Sequence, residues 1–581
     1  EVTKILDQIF ELEKQISPLT DKLASDKDIV SYRNNMAEVF KTMGGIEQEN
    51  DRWDNAEDSF RNYVESRELE IAKDPGSMGK DYNYNTQRNL LATAYNDRGD
   101  FERARAKAAV RDVDKRDTAL NTAQDAYQTG LQIAKDLTET NPKEPDYWET
   151  LGSTYAGLKE LAIDRANLAL NAQPPDLASA AQFYEVAHNG LEEHITALKQ
   201  ASAMADPDEQ HQRSRSVAIA LREEGEFEVD RAKAASEDAA ACRQEALACY
   251  NNSLTLLAGL LKDHPHDTDM ELSSALAHED LLSLAQDQAE AASHAGHDTE
   301  ARNDYQAGEK EAAAYLQAMQ ELVAQQKAAQ ADDLDNESTL VNAHVNQGDL
   351  YRSEANHLNP PPPGLFAKAD QCYQNALVLA QTLTAQYPKV ASVWSTLAEV
   401  EQSMDGSASD QAAAALSQGD VVRAKILYQK ANDQVALNLK AARQALALAT
   451  GAERSGKMHK VASVLGTASY DLLFVGQYAA ALQDATAAIW DDPTELWVTT
   501  NQAHALLLEG KFDEAWAIYQ QHAFERIYSD DKETFREAVL DDFDAFEKAR
   551  AFFTPQQLAD IEKARRQLQA LPAPAPASSG Q

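Results

Sequence analysis

The chain has 581 residues and carries 54 Lys and Arg against 95 Asp and Glu, a formal net charge of −41. Such a polyanion is a poor match for nucleic acid or an anionic membrane surface, and its acidity keeps a large surface solvated. Three cysteines are too few for a disulfide framework, and no stretch reaches the roughly eighteen apolar residues that a membrane-inserted helix needs.

In chain order, Val2–Leu19 has helical periodicity, and residues 1–28 read as a lead-in helix. From there to residue 523 one spaced pattern recurs nine times: a small residue, an aromatic or small residue four places on, and a third residue, small in most copies, three beyond that. The leading alanines are Ala56, Ala123, Ala180, Ala246, Ala301, Ala369, Ala424, Ala481 and Ala515, and the aromatics include Phe60, Tyr127, Tyr250, Tyr373 and Tyr519. Steps of four and then three keep all three residues on one helical face. Small residues there let a neighbouring helix approach while the ring fills the gap beside it. Repetition of this kind predicts an all-α stack of antiparallel helical hairpins, about nine in residues 29–523.

Breakers fall between the predicted helices. Pro174-Pro175-Asp176 splits the third hairpin, with Asp176 placed to cap the next helix. Asn359 and the run Pro360 to Pro363, followed by Gly364, predict a rigid tip in the sixth. Residues 405–420 read as the loosest internal stretch. Residues 524–570, with Phe535, Leu540, Phe543 and Phe546 at helical spacing, read as helices capping the last hairpin. Residues 571–581, rich in Pro, Ala and Ser, read as a disordered tail.

The spacing of the repeats carries a resemblance. The last step, Ala481 to Ala515, is 34 residues, the period of the tetratricopeptide repeat. Gly476-Gln-Tyr-Ala-Ala-Ala-Leu and Gly510-Lys-Phe-Asp-Glu-Ala515-Trp are similar to that family's turn into its second helix. Trp148-Glu-Thr-Leu151-Gly152-Ser-Thr-Tyr155 is similar to its first helix, as is Leu91-Ala92-Thr-Ala-Tyr95 followed by Gly99-Asp100. The other steps run from 55 to 68 residues. Pro75, Pro142, Pro265 and Pro388 each follow their anchor alanine by 19 residues, seven more than the usual form, and Leu151 on a first helix precedes Ala180 on its second by 29, sixteen more than usual. Pro142, Pro265 and Pro388 are 123 residues apart, so two hairpins make one higher unit. This layout resembles the long-helix arrays of large bacterial multidomain proteins. The resemblance implies a right-handed superhelical solenoid with elongated helices, covering roughly residues 30–523.

It also implies a groove, because the first helix of each hairpin lines the concave face in that family. Counting from the motif residues gives Asn89, Thr93, Asn96, Glu149, Ser153, Asn342, Asn346, Glu399, Gln402 and His504 as partner-binding candidates, with Asn34 and Glu38 upstream. Amides offer both donor and acceptor, which suits the backbone of a bound peptide. The family's clamp for an acidic peptide C-terminus pairs lysines with asparagines; the matching places here lack the lysines.

Motifs for chemistry are weak. His264-Pro265-His266-Asp267 and His294-Ala-Gly-His297 sit in turns without zinc-ligand spacing. Arg98-Gly99-Asp100 occupies the repeat's own Gly-Asp position. There is no phosphate loop, nucleophile elbow or His-Glu-x-x-His helix. The sequence therefore predicts a non-catalytic, cytoplasmic scaffold for a protein or peptide, with no cofactor, no metal and no nucleic acid. The alternative is a sensing arm of a larger effector or enzyme, whose catalytic domain is attached or recruited. A first residue inside a predicted helix and a linker-like tail suit that alternative.

Overall fold

The computed structural model describes residues 26–49, 52–72, 84–109, 112–172, 176–234, 239–331, 333–451, 453–527 and 533–572. The expected helix Val2–Leu19, Pro75, the Pro174-Pro175 break and all but the first two residues of the expected tail lie outside them.

Among the described residues there are twenty α-helices, one 3-10 turn and no strand. In chain order they are α1 Asp26–Glu49, α2 Trp53–Ala72, α3 Tyr84–Ala108, α4 Val113–Thr140, α5 Pro145–Leu170, α6 Leu177–Met204, α7 Pro207–Ala234, α8 Ala239–Asp263, α9 Thr268–His294 and α10 Asp298–Ala328. There follow α11 Leu334–His357, α12 Leu365–Gln386, α13 Ala391–Ser417, α14 Val421–Leu448, α15 Glu453–Phe474, α16 Tyr478–Asp491, α17 Leu496–Leu508, α18 Phe512–His522, α19 Phe535–Lys548 and α20 Pro555–Gln569. Each odd-numbered helix up to α17 packs on its successor, so the fold is a helical repeat. The chain forms two compact units, residues 1–273 and 274–581.

All nine copies of the small-aromatic-small pattern lie on second helices. Every residue of the pattern is buried except His522, which is half-buried. Four of the rings, Phe60, Tyr127, Tyr250 and Tyr373, are seated on glycines of the partner helix. A Cβ on Gly225 would come within 2.4 Å of the Tyr250 ring, one on Gly348 within 2.5 Å of the Tyr373 ring, and Tyr127 lies equally close to Gly99 and Gly157. No side chain fits between these helices at that distance. Tyr127 and Tyr373 donate their hydroxyls to Asp100 at 2.5 Å and Asp349 at 2.7 Å, so the buried phenol has a partner.

This seating sets Gly99 apart from the turn glycines and corrects one expectation. Gly99-Asp100 is no turn: α3 runs straight through it to Ala108. The glycine is there to admit Tyr127, whereas Gly476 and Gly510 in the short last hairpins, at φ +78° and +83°, do make turns. Residues 405–420 are not loose either. α13 continues to Ser417, and Asp405, Ser407 and Ala408 are buried in it. Small residues there serve close packing, and only Gln418 to Asp420 leave the helix, with Gly419 at φ +78°.

The turns are held by side chains. Asp176 caps α6 by accepting the Ser179 N–H at 3.0 Å, and Asp420 caps α14 through Arg423 N at the same distance. Trp148 and Trp394 donate their indole N–H to the carbonyls of Pro142 and Pro388, at 2.9 and 3.1 Å. The proline run lies between α11 and α12, and Arg302 of α10 donates to the Pro360 carbonyl. Helices α19 and α20 pack on the last hairpin, with Phe535, Val539, Phe543 and Phe546 fully buried against Tyr519 and Leu507.

Candidate binding cleft

Residues 342, 346, 349, 353 and 356 follow one another by four and three, so they form one stripe along α11. In the second unit this stripe faces Gln286 and Glu290 of α9 on one side and Glu399, Gln402 and Ser403 of α13 on the other, around a cleft of about 590 Å3. Three successive first helices therefore bring Asn342, Asn346, Glu399 and Gln402 together, four of the ten candidates. Glu399 and Gln402 are exposed, and the two asparagines are half-buried.

The cleft wall is a hydrogen-bonded network. Asn346 Nδ2 donates to Glu279 Oε1 at 2.8 Å, and Lys460 Nζ donates to Gln402 Oε1 at 2.5 Å. Arg352 Nε and Asn356 Nδ2 both donate to Asp410 Oδ2, at 2.5 and 2.6 Å. Ser353 donates its hydroxyl to Glu290 at 2.6 Å and accepts that of Tyr305 at 2.8 Å. Burial pushes the Asp349 carboxyl above the usual carboxylate range, although Tyr373 and Arg352 oppose the shift. The guanidinium of Arg352 is matched by Asp410 and the ammonium of Lys460 faces Glu399, so Glu290 and Asp349 leave the cleft acidic.

The candidates of the first unit are arranged differently. Glu149 lines a separate cleft of about 520 Å3 with Gln212, Arg213, Arg215 and Asp269. There Arg213 spans Asp146 and Glu149, each at 2.6 Å. Ser153 is exposed, and its hydroxyl donates to the Glu149 carbonyl at 3.0 Å. Asn89 and Thr93 are half-buried on α3, where Thr93 Oγ1 donates back to Asn89 O at 3.1 Å.

Two candidates are not surface groups. Asn96 is 7% exposed and pressed against α4, where its Oδ1 lies 2.9 Å from the place a Gly130 Cβ would take. His504 is fully buried because α19 covers the last hairpin. Its Nδ1 meets the Tyr519 hydroxyl at 2.7 Å and its Nε2 meets Asp542 Oδ2 at 3.0 Å. A first-helix position faces a groove only where no further helix packs on it.

Other groups escaped the motif count. Counting stopped at Asn346, although the same stripe continues to Asp349, Ser353 and Asn356. On α13, Asp405 turns inward and hydrogen-bonds Asp471 of α15, with both side chains buried. Burial raises both carboxyls above the ordinary range, Asp405 the more strongly, and Ser409 donates to Asp471 at 3.2 Å. The pair shares a proton, because two buried carboxylates in contact cannot both ionise. One turn earlier Glu401 is 4% exposed, and burial pushes its carboxyl up to about 7. The turn residues behave as caps: Asp267 Oδ1 accepts from Asp269 N and Met270 N at 3.1 and 3.0 Å, and His264 stacks on His211. All three cysteines are buried and free. Among the described residues no helix is long and apolar enough to cross a membrane.

No protein-family model matches the chain, and no curated protein matches its sequence. Solved structures similar in helix arrangement include a circular tandem repeat protein (12% identity, 94% of this chain and 98% of that one, TM-score 0.29). The S. pombe nuclear import adaptor Nro1 is 12% identical over 62% of this chain and 95% of its own, with a TM-score of 0.35. Yeast Tom70 is 12% identical over 93% and 100%, with a TM-score of 0.20. At these values the likeness assigns no activity or partner to this chain.

Proposed function

We propose that the chain is a non-catalytic scaffold that holds a protein or peptide partner, and that the cleft between α9, α11 and α13 is where it does so. The observation that carries this reading is the convergence of Asn342, Asn346, Glu399 and Gln402 on one polar cleft of peptide-binding size. An extended segment presents alternating N–H and C=O groups, which Asn and Gln amides pair with in either sense. The acidic wall favours a cationic side chain on that segment and disfavours phosphate, so a basic peptide suits this cleft better than a nucleic acid.

The arrangement nearest to a nucleophile supports binding over catalysis. Ser353, His357 and Glu290 lie together, with His357 Nδ1 3.0 Å from the Ser353 carbonyl oxygen and 3.3 Å from its hydroxyl. While Nδ1 donates to that carbonyl it does not take the Ser353 proton, for which Glu290 at 2.6 Å is the nearer acceptor. An affinity pull-down with the wild type and an Asn342→Ala/Asn346→Ala variant tests the proposal. A partner held by the wild type and lost by the folded variant supports it, and a partner held equally by both moves recognition elsewhere.

A further inference from the structure

Outside the cleft, one cluster joins residues far apart in sequence. His459 lies near the start of α15, while Asp492 and Glu495 belong to the turn between α16 and α17, where they serve as the C-cap of one helix and the N-cap of the next. His459 Nδ1 is 2.7 Å from Asp492 Oδ2, and His459 Nε2 is 3.3 Å from Glu495 Oε1. One ligand atom from each residue lies within 4.8 Å of the others.

Each carboxylate is oriented from behind. Asp492 Oδ1 accepts the Thr494 N–H at 2.9 Å and the Thr494 hydroxyl at 2.5 Å. Glu495 Oε2 accepts the indole N–H of Trp497. In both, one oxygen is tied by a neighbouring donor and the other is turned to the imidazole. Support of this kind, from partners behind the ligands, fixes ligand orientation in metal sites. We infer that His459, Asp492 and Glu495 form a binding site for a divalent transition-metal cation of the zinc type.

The donor set fixes the class. One imidazole nitrogen with two carboxylate oxygens suits zinc, cobalt or manganese, whereas calcium and magnesium favour all-oxygen shells. Three protein ligands leave a tetrahedral cation one position for water. The His459 side chain is 55% exposed, which gives the ion an entry path, while Asp492 at 17% and Glu495 at 12% form the firmer base. Two carboxylates beside one imidazole carry a formal charge that a dication matches. Bound there, the ion ties the turn after α16 to α15.

The competing state is a plain hydrogen-bonded cluster of His459 with the two carboxylates, with no affinity for metal. Titration calorimetry of zinc into the full chain at pH 7.5 separates the two, with His459→Ala and Glu495→Gln as variants. The Gln variant keeps the shape of Glu495 if the Ala variant folds poorly. The expected result is one zinc equivalent more in the wild type than in either variant, or at least a tenfold weaker affinity at that equivalent. Trp497 emission should change as the same equivalent binds, and magnesium should cause neither effect. Equal zinc uptake by wild type and both variants, or a wild-type response to magnesium that matches zinc, would overturn the inference.

Discussion

The ring of Tyr373 occupies the space that a side chain on Gly348 would need, with Cε1 2.5 Å from the position of the missing Cβ. The two residues lie on opposite helices of one hairpin, and the Tyr373 hydroxyl ends on Asp349, next to the glycine. Aromatic, glycine and aspartate thus form one device. Tyr373→Ala empties a buried site and should cost about 3–5 kcal/mol. Gly348→Ala overpacks the same site and should cost about 1–3 kcal/mol. Because both act on one space, the double variant should be more stable than the two losses together imply. Urea unfolding of the three variants checks this, and simple additivity would separate the two residues.

The same logic applies to the alanine that leads each pattern. Ala246 has no exposed surface, and Tyr250 beside it packs on Gly225. Ala246→Glu buries a charge where helices touch and should abolish cooperative unfolding of the first unit. A normal melt for this variant would mean that α8 faces α7 in another register.

Stability should fall as pH rises from 5 to 8. Asp405, Asp471 and Glu401 have carboxyls raised by burial, so the folded chain keeps protons that the unfolded chain has released. Their contribution is complete below the ordinary carboxylate value near 4. It is lost as pH climbs toward the raised values, at about 1.4 kcal/mol per pH unit for each proton held. Arg352 acts against the shift of Asp405, and Asp410 adds to it. Urea midpoints at the two pH values should differ less in Asp405→Asn than in the wild type. The exposed change Asp433→Asn, a control for overall charge, should leave the difference intact. A pH difference as large in Asp405→Asn as in the wild type would contradict the shared proton.

His504 should matter for the end of the chain and not for binding. Replacing it with Ala takes from Tyr519 and Asp542 the imidazole that joins them and should cost about 1–3 kcal/mol. Partner retention by the folded variant should match the wild type, which a pull-down at low temperature measures.

The hairpins were legible because their packing is local: a step of four and three around Ala369, Tyr373 and Ala376 states which face is buried. A glycine near the end of a first helix serves two purposes, as a turn at Gly510 and as a seat for a ring at Gly99. Repeat counting reached Asn342 and Asn346 but missed Glu290 and Ser403, which come to the cleft from neighbouring hairpins. It also placed His504 on a groove, since nothing in its repeat tells that α19 will cover it. His459, Asp492 and Glu495 carry no motif, as the turn that unites them spans 33 residues from the histidine to the first carboxylate.

The most direct test is the affinity of a peptide drawn from a random displayed library by the wild-type chain, measured by fluorescence anisotropy. The account predicts selected peptides with a basic residue, bound at least tenfold more weakly by Asn342→Ala/Glu399→Gln and unaffected by the distant change Val422→Ser on α14. Peptides that bind the cleft variant as tightly as the wild type, or selection of acidic sequences, would contradict it.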